Sequence, residues 1–117
     1  MIAKVGFKEQ ANEYILSKEH RFFQGRMKKG IHKSKGGLIR SFVLIESGQI
    51  KEITISGDFF LFPEEAIFKM LDKLKGTPAI RDEIQKNIEE TYRIENIQSP
   101  GTAPSDFTES IMKALEG

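Results

Sequence analysis

The chain has 117 residues, with 18 Lys+Arg against 17 Asp+Glu and neither Cys nor Trp. That length predicts one domain whose core needs no disulfide or metal staple, and a 38% hydrophobic, 30% charged composition predicts a globular fold rather than a disordered tail. Lack of cysteine excludes thiol catalysis, iron–sulfur ligation and zinc–cysteine sites; no apolar run reaches the roughly 20 residues that span a bilayer, and Met1-Ile2-Ala3-Lys4 lacks a signal-peptide core, so a cytoplasmic location is expected.

Residues 1–20 read as an N-terminal extension, with Phe7, Ala11, Tyr14 and Ile15 spaced for a short amphipathic helix. From Arg21 the period becomes two. Phe23, Gly25, Met27 and Ile31 mark one face of a strand running to His32, and Lys28 and His32 mark the other. Lys33-Ser34-Lys35-Gly36-Gly37 predicts a hairpin turn, because glycines supply the positive φ that tight turns require. A second strand follows from Leu38 to Glu46, with Ile39, Val43 and Ile45 on one side and Leu38, Phe42 and Leu44 on the other. Its two apolar sides predict a central strand covered on both faces. Ser47-Gly48 turns into a third strand, Ile50 to Ser56, with Ile53 and Ile55 on one side.

The second half reads as helical. Pro63-Glu64-Glu65 opens a helix carrying Ile67, Met70, Leu71 and Leu74, closed by a left-handed Gly76. Thr77-Pro78 predicts the cap and first residue of another, with Ile80, Ile84 and Ile88 on its inner stripe. Gln98 to Pro104 reads as a loop, and Ser105 as the cap of a last helix with Phe107, Ile111, Met112 and Leu115 inward. The predicted class is α+β: a small three-stranded antiparallel meander packed with helices, forming one domain over 21–117.

The catalytic inventory is thin. His20 and His32 have no neighbouring ligand at metal spacing and read as ordinary surface histidines. No Ser lies in a nucleophile elbow, and the glycine pair lacks the Lys-Ser or Lys-Thr of a phosphate-binding loop. Carboxylate pairs such as Glu64/Glu65, Asp82/Glu83 and Glu89/Glu90 sit where helix starts and solvated faces want them.

Two features stand above this background. Gly57-Asp58-Phe59-Phe60-Leu61-Phe62, followed by Phe68, gathers aromatic rings after the third strand. It reads either as a sheet-to-helix corner sealed by aromatics or as a place of direct ligand contact. Between His20 and Ile45 lie seven basic residues (Arg21, Arg26, Lys28, Lys29, Lys33, Lys35, Arg40) and no acidic one, while the remaining residues carry a net −6. The basic turn is either a place to meet a phosphate, by attraction and by backbone amides, or a strand edge guarded by lysines.

Arg21-Phe22-Phe23-x-Gly25, Gly37-Leu38-Ile39-Arg40, Ile55-Ser56-Gly57-Asp58-Phe59-Phe60 and the helix reaching Leu74-Lys75-Gly76 occur in an order that resembles the accessory, C-terminal domain of lipoate–protein ligases. The likeness runs from about Arg21 to the last helix, and Gly57-Asp58-Phe59-Phe60 is its most specific part. In single-chain ligases this domain follows the catalytic one; in some archaeal systems it is a separate chain. The resemblance implies a fold similar to iron–sulfur scaffold and sulfur-acceptor proteins, without their cysteine chemistry. It implies an accessory subunit that docks on a separate catalytic chain and supports formation of lipoyl-AMP from lipoate and ATP, before the lipoyl group passes to a lysine of a carrier domain. Lipoate, ATP and Mg are then expected on the partner chain, no residue here is expected to be catalytic or to bind metal, and the acyl group stays open between lipoate and octanoate. Gly57, Asp58, Phe59 and Phe60 become candidates for partner docking. Lys33, Lys35, Gly36, Gly37 and Arg40 become candidates for contact with the adenylate phosphate.

The basic stretch also admits an alternative from another class: a non-catalytic module binding an anionic partner such as single-stranded nucleic acid, with Phe22 and Phe23 beside Arg21 and Arg26 as a stacking platform.

Overall fold

A computed structural model describes residues 3–4 and 27–116. The helix expected around Phe7–Ile15, the motif residues Arg21, Phe22, Phe23 and Gly25, and Arg26 lie outside the described residues.

Three strands form an antiparallel meander in the order β2 (Lys28–Ser34), β3 (Gly37–Glu46) and β4 (Gln49–Gly57). The β3–β4 turn carries positive φ at both Ser47 (56°) and Gly48 (76°), the twist that suits a two-residue hairpin. Two short strands, β1 (Ala3–Lys4) and β5 (Phe60–Leu61), pair antiparallel outside the meander. Helices α1 (Ala66–Leu74), α2 (Arg81–Glu95) and α3 (Pro104–Glu116) complete the chain, confirming the α+β class.

Cross-strand register shows which residues share a face. Gly30 opposes Ser41, which opposes Ile55; Val43 opposes Ile53, and His32 opposes Ile39. This side is covered by helices: α3 lies across β2 and β3, α1 reaches β4, and α2 bridges α1 and α3. Ile39, Val43, Ile53 and Ile55 meet Ile67, Met70, Leu74, Ile84, Ile88, Phe107 and Ile111 in one core. Ion pairs tie the helices together, Lys73 with Glu90 and Arg81 with Glu109.

The structure bears on four sequence expectations. First, the more apolar of the two faces predicted for β2 carries Ile31, yet Ile31 is 45% exposed while Gly30 and Ser34 are buried, so it is the other face that meets the core. The reason is the approach of α3: a Cβ on Gly30 would lie 2.0 Å from Ser110 O and 2.4 Å from Ala114 N. Only glycine admits that contact, and hydrophobicity could not signal it. Second, β3 is central as expected; the three helices pack on one face, and on the other Leu44 is fully buried while Leu38 and Phe42 are half-buried. Third, α2 starts at Arg81 rather than Pro78. Residues 77–79 bond the β3–β4 turn and β4 instead, through Ile50 N to Thr77 O at 2.9 Å and Ala79 N to Gly48 O at 2.9 Å. Thr77 Oγ1 donates to Lys73 O at 3.1 Å and accepts from Asn87 Nδ2 at 2.7 Å, serving the helix before it, and Ile80 is 57% exposed. Fourth, α3 begins at Pro104 without a Ser105 cap; Asp106 Oδ2 accepts the Ala103 amide at 2.8 Å. Gly76 does take the expected left-handed conformation after α1, with φ 86°.

Gly30→Ala should cost about 3 kcal/mol, because the added methyl meets backbone that cannot move independently. Gly48→Ala, with open space but positive φ, should cost about 1 kcal/mol. Urea unfolding of the two variants beside the parent checks both, and equal midpoints for them would contradict the close-packing account.

Candidate functional site

The basic turn is a two-residue hairpin tip, Lys35-Gly36, between paired Ser34 and Gly37. Lys33 and Lys35 are exposed. Gly36 is occupied by structure: its N–H donates to Gly101 O at 2.8 Å, and a Cβ there would meet Pro100 O at 2.4 Å. The tip is therefore pressed backbone to backbone against the loop before α3, and the Gly36 amide is not offered to a ligand. Arg40 is separated from this group. It lies on the sheet face away from the helices, between Ile31 and Ser56.

A chain of hydroxyls braces the tip. Ser34 Oγ donates to Gly37 O at 2.7 Å, so its partner Thr102 Oγ1, 2.9 Å away, supplies the proton between them. Ser99 Oγ donates to Thr102 O at 2.6 Å, so the Tyr92 phenol, also at 2.6 Å, donates to Ser99. Burial pushes the Tyr92 phenol up to about 12. Above the chain, His32, Lys33, Lys35, Gly101, Ala103 and Asp106 border an open groove of about 600 Å³.

His32 is more than the ordinary surface histidine its sequence suggests. Its Nε2 lies 2.9 Å from Asp106 Oδ1, and Lys113 Nζ lies 2.9 Å from its Nδ1. An ammonium only donates, so Nδ1 accepts, Nε2 carries the proton, and the ring is the neutral tautomer. These partners are 74 and 81 residues away, and nothing local in the sequence announces them.

The aromatic corner divides into inner and outer halves. Gly57 (φ 153°) and Gly37 (φ 136°) let two backbones cross: a Cβ on Gly57 would lie 2.0 Å from Leu38 O, and one on Gly37 2.0 Å from Asp58 O. Phe59 is fully buried, its ring edge-on to Phe107 at 5.1 Å. Phe60, Phe62 and Phe68 stay exposed at 42%, 39% and 44%. Of the four motif residues, Gly57 and Phe59 thus face inward, leaving Asp58 and Phe60 at the surface. The corner and the hairpin tip share one support. Phe62 exchanges backbone hydrogen bonds with Gln98 at 2.8 and 2.7 Å, three residues before the glycine that holds Gly36.

Elsewhere, Arg81 and Glu109 stabilise each other's charge, raising the guanidinium and lowering the carboxyl, and Lys73 lowers the carboxyl of Glu90. Among the described residues no group of three His, Asp or Glu side chains is placed to hold a metal ion, and no helix is long and apolar enough to cross a membrane.

The sequence model of the family described as "Bacterial lipoate protein ligase C-terminus" matches residues 23–111. Lipoate-protein ligase A subunit 2 of Thermoplasma acidophilum is 38% identical over 79 residues, covering 68% of this chain and 81% of that protein. A solved chain from the same organism superposes with a TM-score of 0.67 at 36% identity, covering 73% of this chain and 93% of that one. Its structure is described as an archaeal lipoylation system, a bipartite lipoate protein ligase and its E2 lipoyl domain.

Two outcomes test the site's construction. Phe59→Ala should cost roughly 3–5 kcal/mol in urea unfolding, whereas Phe60→Ala should stay within about 0.5 kcal/mol; similar losses would overturn the inner and outer division. The phenol of Tyr92 is raised in the folded state, so between about pH 10 and 12 the unfolded chain loses a proton that the folded chain keeps. Stability should fall across that window by roughly 2 kcal/mol more in the parent than in Tyr92→Phe, measured as the difference between their urea midpoints.

Proposed function

The chain belongs to the family of lipoate protein ligase C-terminal domains, and on that footing we propose that it is the accessory subunit of a two-chain lipoate–protein ligase. It docks on a separate catalytic chain and supports the reaction in which lipoate and ATP give lipoyl-AMP and pyrophosphate. The observation that carries this reading is the match in extent: the chain spans most of a relative that is itself named as a ligase subunit.

In this reading lipoate, ATP and Mg bind the partner chain, and no residue of this chain serves as nucleophile, general acid or general base. The conspicuous polar side chains here are already engaged with one another: His32 between Asp106 and Lys113, and the hydroxyls of Ser34, Ser99 and Thr102 in their chain. The subunit works in the cytoplasm, the compartment that supplies ATP. Phe60 and Asp58, the outward members of the corner motif, meet the partner chain. Lys33 and Lys35 approach the adenylate phosphate from the hairpin tip, where the braced turn limits the chain freedom that would otherwise oppose such a contact. Exposed ammonium groups on a fixed turn add attraction to the developing negative charge without needing the glycine amides.

The purified chain should stimulate lipoate-dependent ATP–pyrophosphate exchange by the catalytic chain of its source organism; no stimulation would end this reading. Replacing Lys33 and Lys35 together by Ala should lower the maximal stimulation by about tenfold, the scale of one charge-assisted contact, with an unchanged melting temperature. Undiminished exchange by that variant would remove the phosphate contact and leave the accessory role standing.

A further inference from the structure

Alternation along the hairpin sorts its residues into two sets. His32, Ser34 and Gly36 are each tied to the segment that leads into and opens α3, whereas Lys33 and Lys35 between them are exposed and border the open groove. The ties follow one another along both segments. Gly36 N–H donates to Gly101 O at 2.8 Å, Ser34 Oγ and Thr102 Oγ1 lie 2.9 Å apart, and His32 Nε2 lies 2.9 Å from Asp106 Oδ1. The last of these sits at the base of the tip, on the residue directly before Lys33.

This third tie is supported on both sides. Asp106 divides its oxygens: Oδ2 accepts the Ala103 amide at 2.8 Å while Oδ1 accepts from His32, so one carboxylate joins the strand to the loop that holds Gly36. Lys113, two turns further along α3, donates to Nδ1 at 2.9 Å and so leaves the ring proton on Nε2, where Asp106 receives it. Ring and carboxylate are 19% and 23% exposed, so water competes little for the bond. The seat of α3 on the sheet is made elsewhere, by the close approach at Gly30, and what His32 adds is a hold on the hairpin tip. A lysine side chain loses much freedom when it meets a phosphate, and looseness in its backbone adds to that cost. A tie at the preceding residue removes the backbone share during folding.

We infer that His32, oriented by Lys113 and anchored by Asp106, is a positioning residue that holds the hairpin tip so that Lys33 and Lys35 face the adenylate phosphate on the catalytic chain. The inference rests on the phosphate contact proposed for those two lysines and adds the group that fixes where they stand. His32 itself touches no substrate.

The test measures lipoate-dependent ATP–pyrophosphate exchange by the catalytic chain over a range of subunit concentrations, which separates the plateau from the half-saturating concentration. His32→Ala should lower the plateau by about fivefold, the scale of one net hydrogen bond, with the half-saturating concentration unchanged. A mere loss of folded subunit would do the reverse, since adding more protein would restore the parent plateau. His32→Gln, whose amide donates to Asp106 and accepts from Lys113 as the neutral ring does, should recover most of the stimulation. Added to the chain that already carries Lys33→Ala and Lys35→Ala, His32→Ala should cause no further loss, because it acts through those lysines. Asp106→Asn, which replaces one accepting oxygen with a donor, should lower the plateau in the same way and serves if His32→Ala does not fold. A parent plateau with His32→Ala, no rescue by His32→Gln, or an equal further loss on the lysine-substituted chain overturns the positioning role and leaves the phosphate contact standing. Undiminished exchange by the Lys33→Ala, Lys35→Ala variant removes that contact and this inference with it, while a parent that gives no stimulation ends the accessory reading itself.

Discussion

Contact between Gly30 on β2 and the last helix sets the geometry of the rest. With no side chain at Gly30, α3 comes close enough that a methyl there would overlap Ser110 O and Ala114 N. Ser110, fully buried, is satisfied at that depth: it lies 3.3 Å from both Gly30 O and Ile39 O, and its oxygen takes the Ser41 hydroxyl proton at 2.8 Å. Small residues thus seat the helix and larger ones flank it. Phe107 and Ile111 reach into the core on either side of this seat, and Phe59 closes against Phe107. Because the approach turns Gly30 inward, the period of two sends Lys29, Ile31 and Lys33 outward, so one glycine decides which face of the strand is turned from the helices.

The loop between α2 and α3 is the second joint. It pairs with the aromatic corner at Phe62–Gln98 and with the hairpin tip at Gly36–Gly101. Two regions apart in sequence are therefore tied to one loop, by backbone hydrogen bonds and by the Tyr92–Ser99–Thr102–Ser34 hydroxyls. A turn braced in this way is ordered during folding, so that ordering cost is not met again in any later contact.

Much of the architecture was legible along the chain. Alternating Ile53 and Ile55, the Ser47-Gly48 turn and the Ile67–Met70–Leu74 spacing are local signals, and the elements form where they lie. Of the candidate site, the exposure of Lys33, Lys35, Asp58 and Phe60 was legible, since charge and the turn residues around them point outward. Its working parts were less so. Phe59 and Phe60 are identical neighbours in sequence, yet one is fully buried and the other 42% exposed. Gly36 resembles a phosphate-cradling glycine until its amide is found bonded to Gly101. His32 gains Asp106 and Lys113 only when α3 lies beside β2.

By itself the sequence determined the class, the element order, the absence of cysteine chemistry and the family, because periodicity, turn residues and short motifs act over a few neighbouring positions. Only the tertiary structure decided the inward face of β2, the start of α2, the partners of His32 and the division of the corner into buried and exposed halves. Each depends on how closely two distant backbones approach, and that distance is set by missing side chains at Gly30, Gly36, Gly37 and Gly57, a feature that hydrophobic patterning does not register.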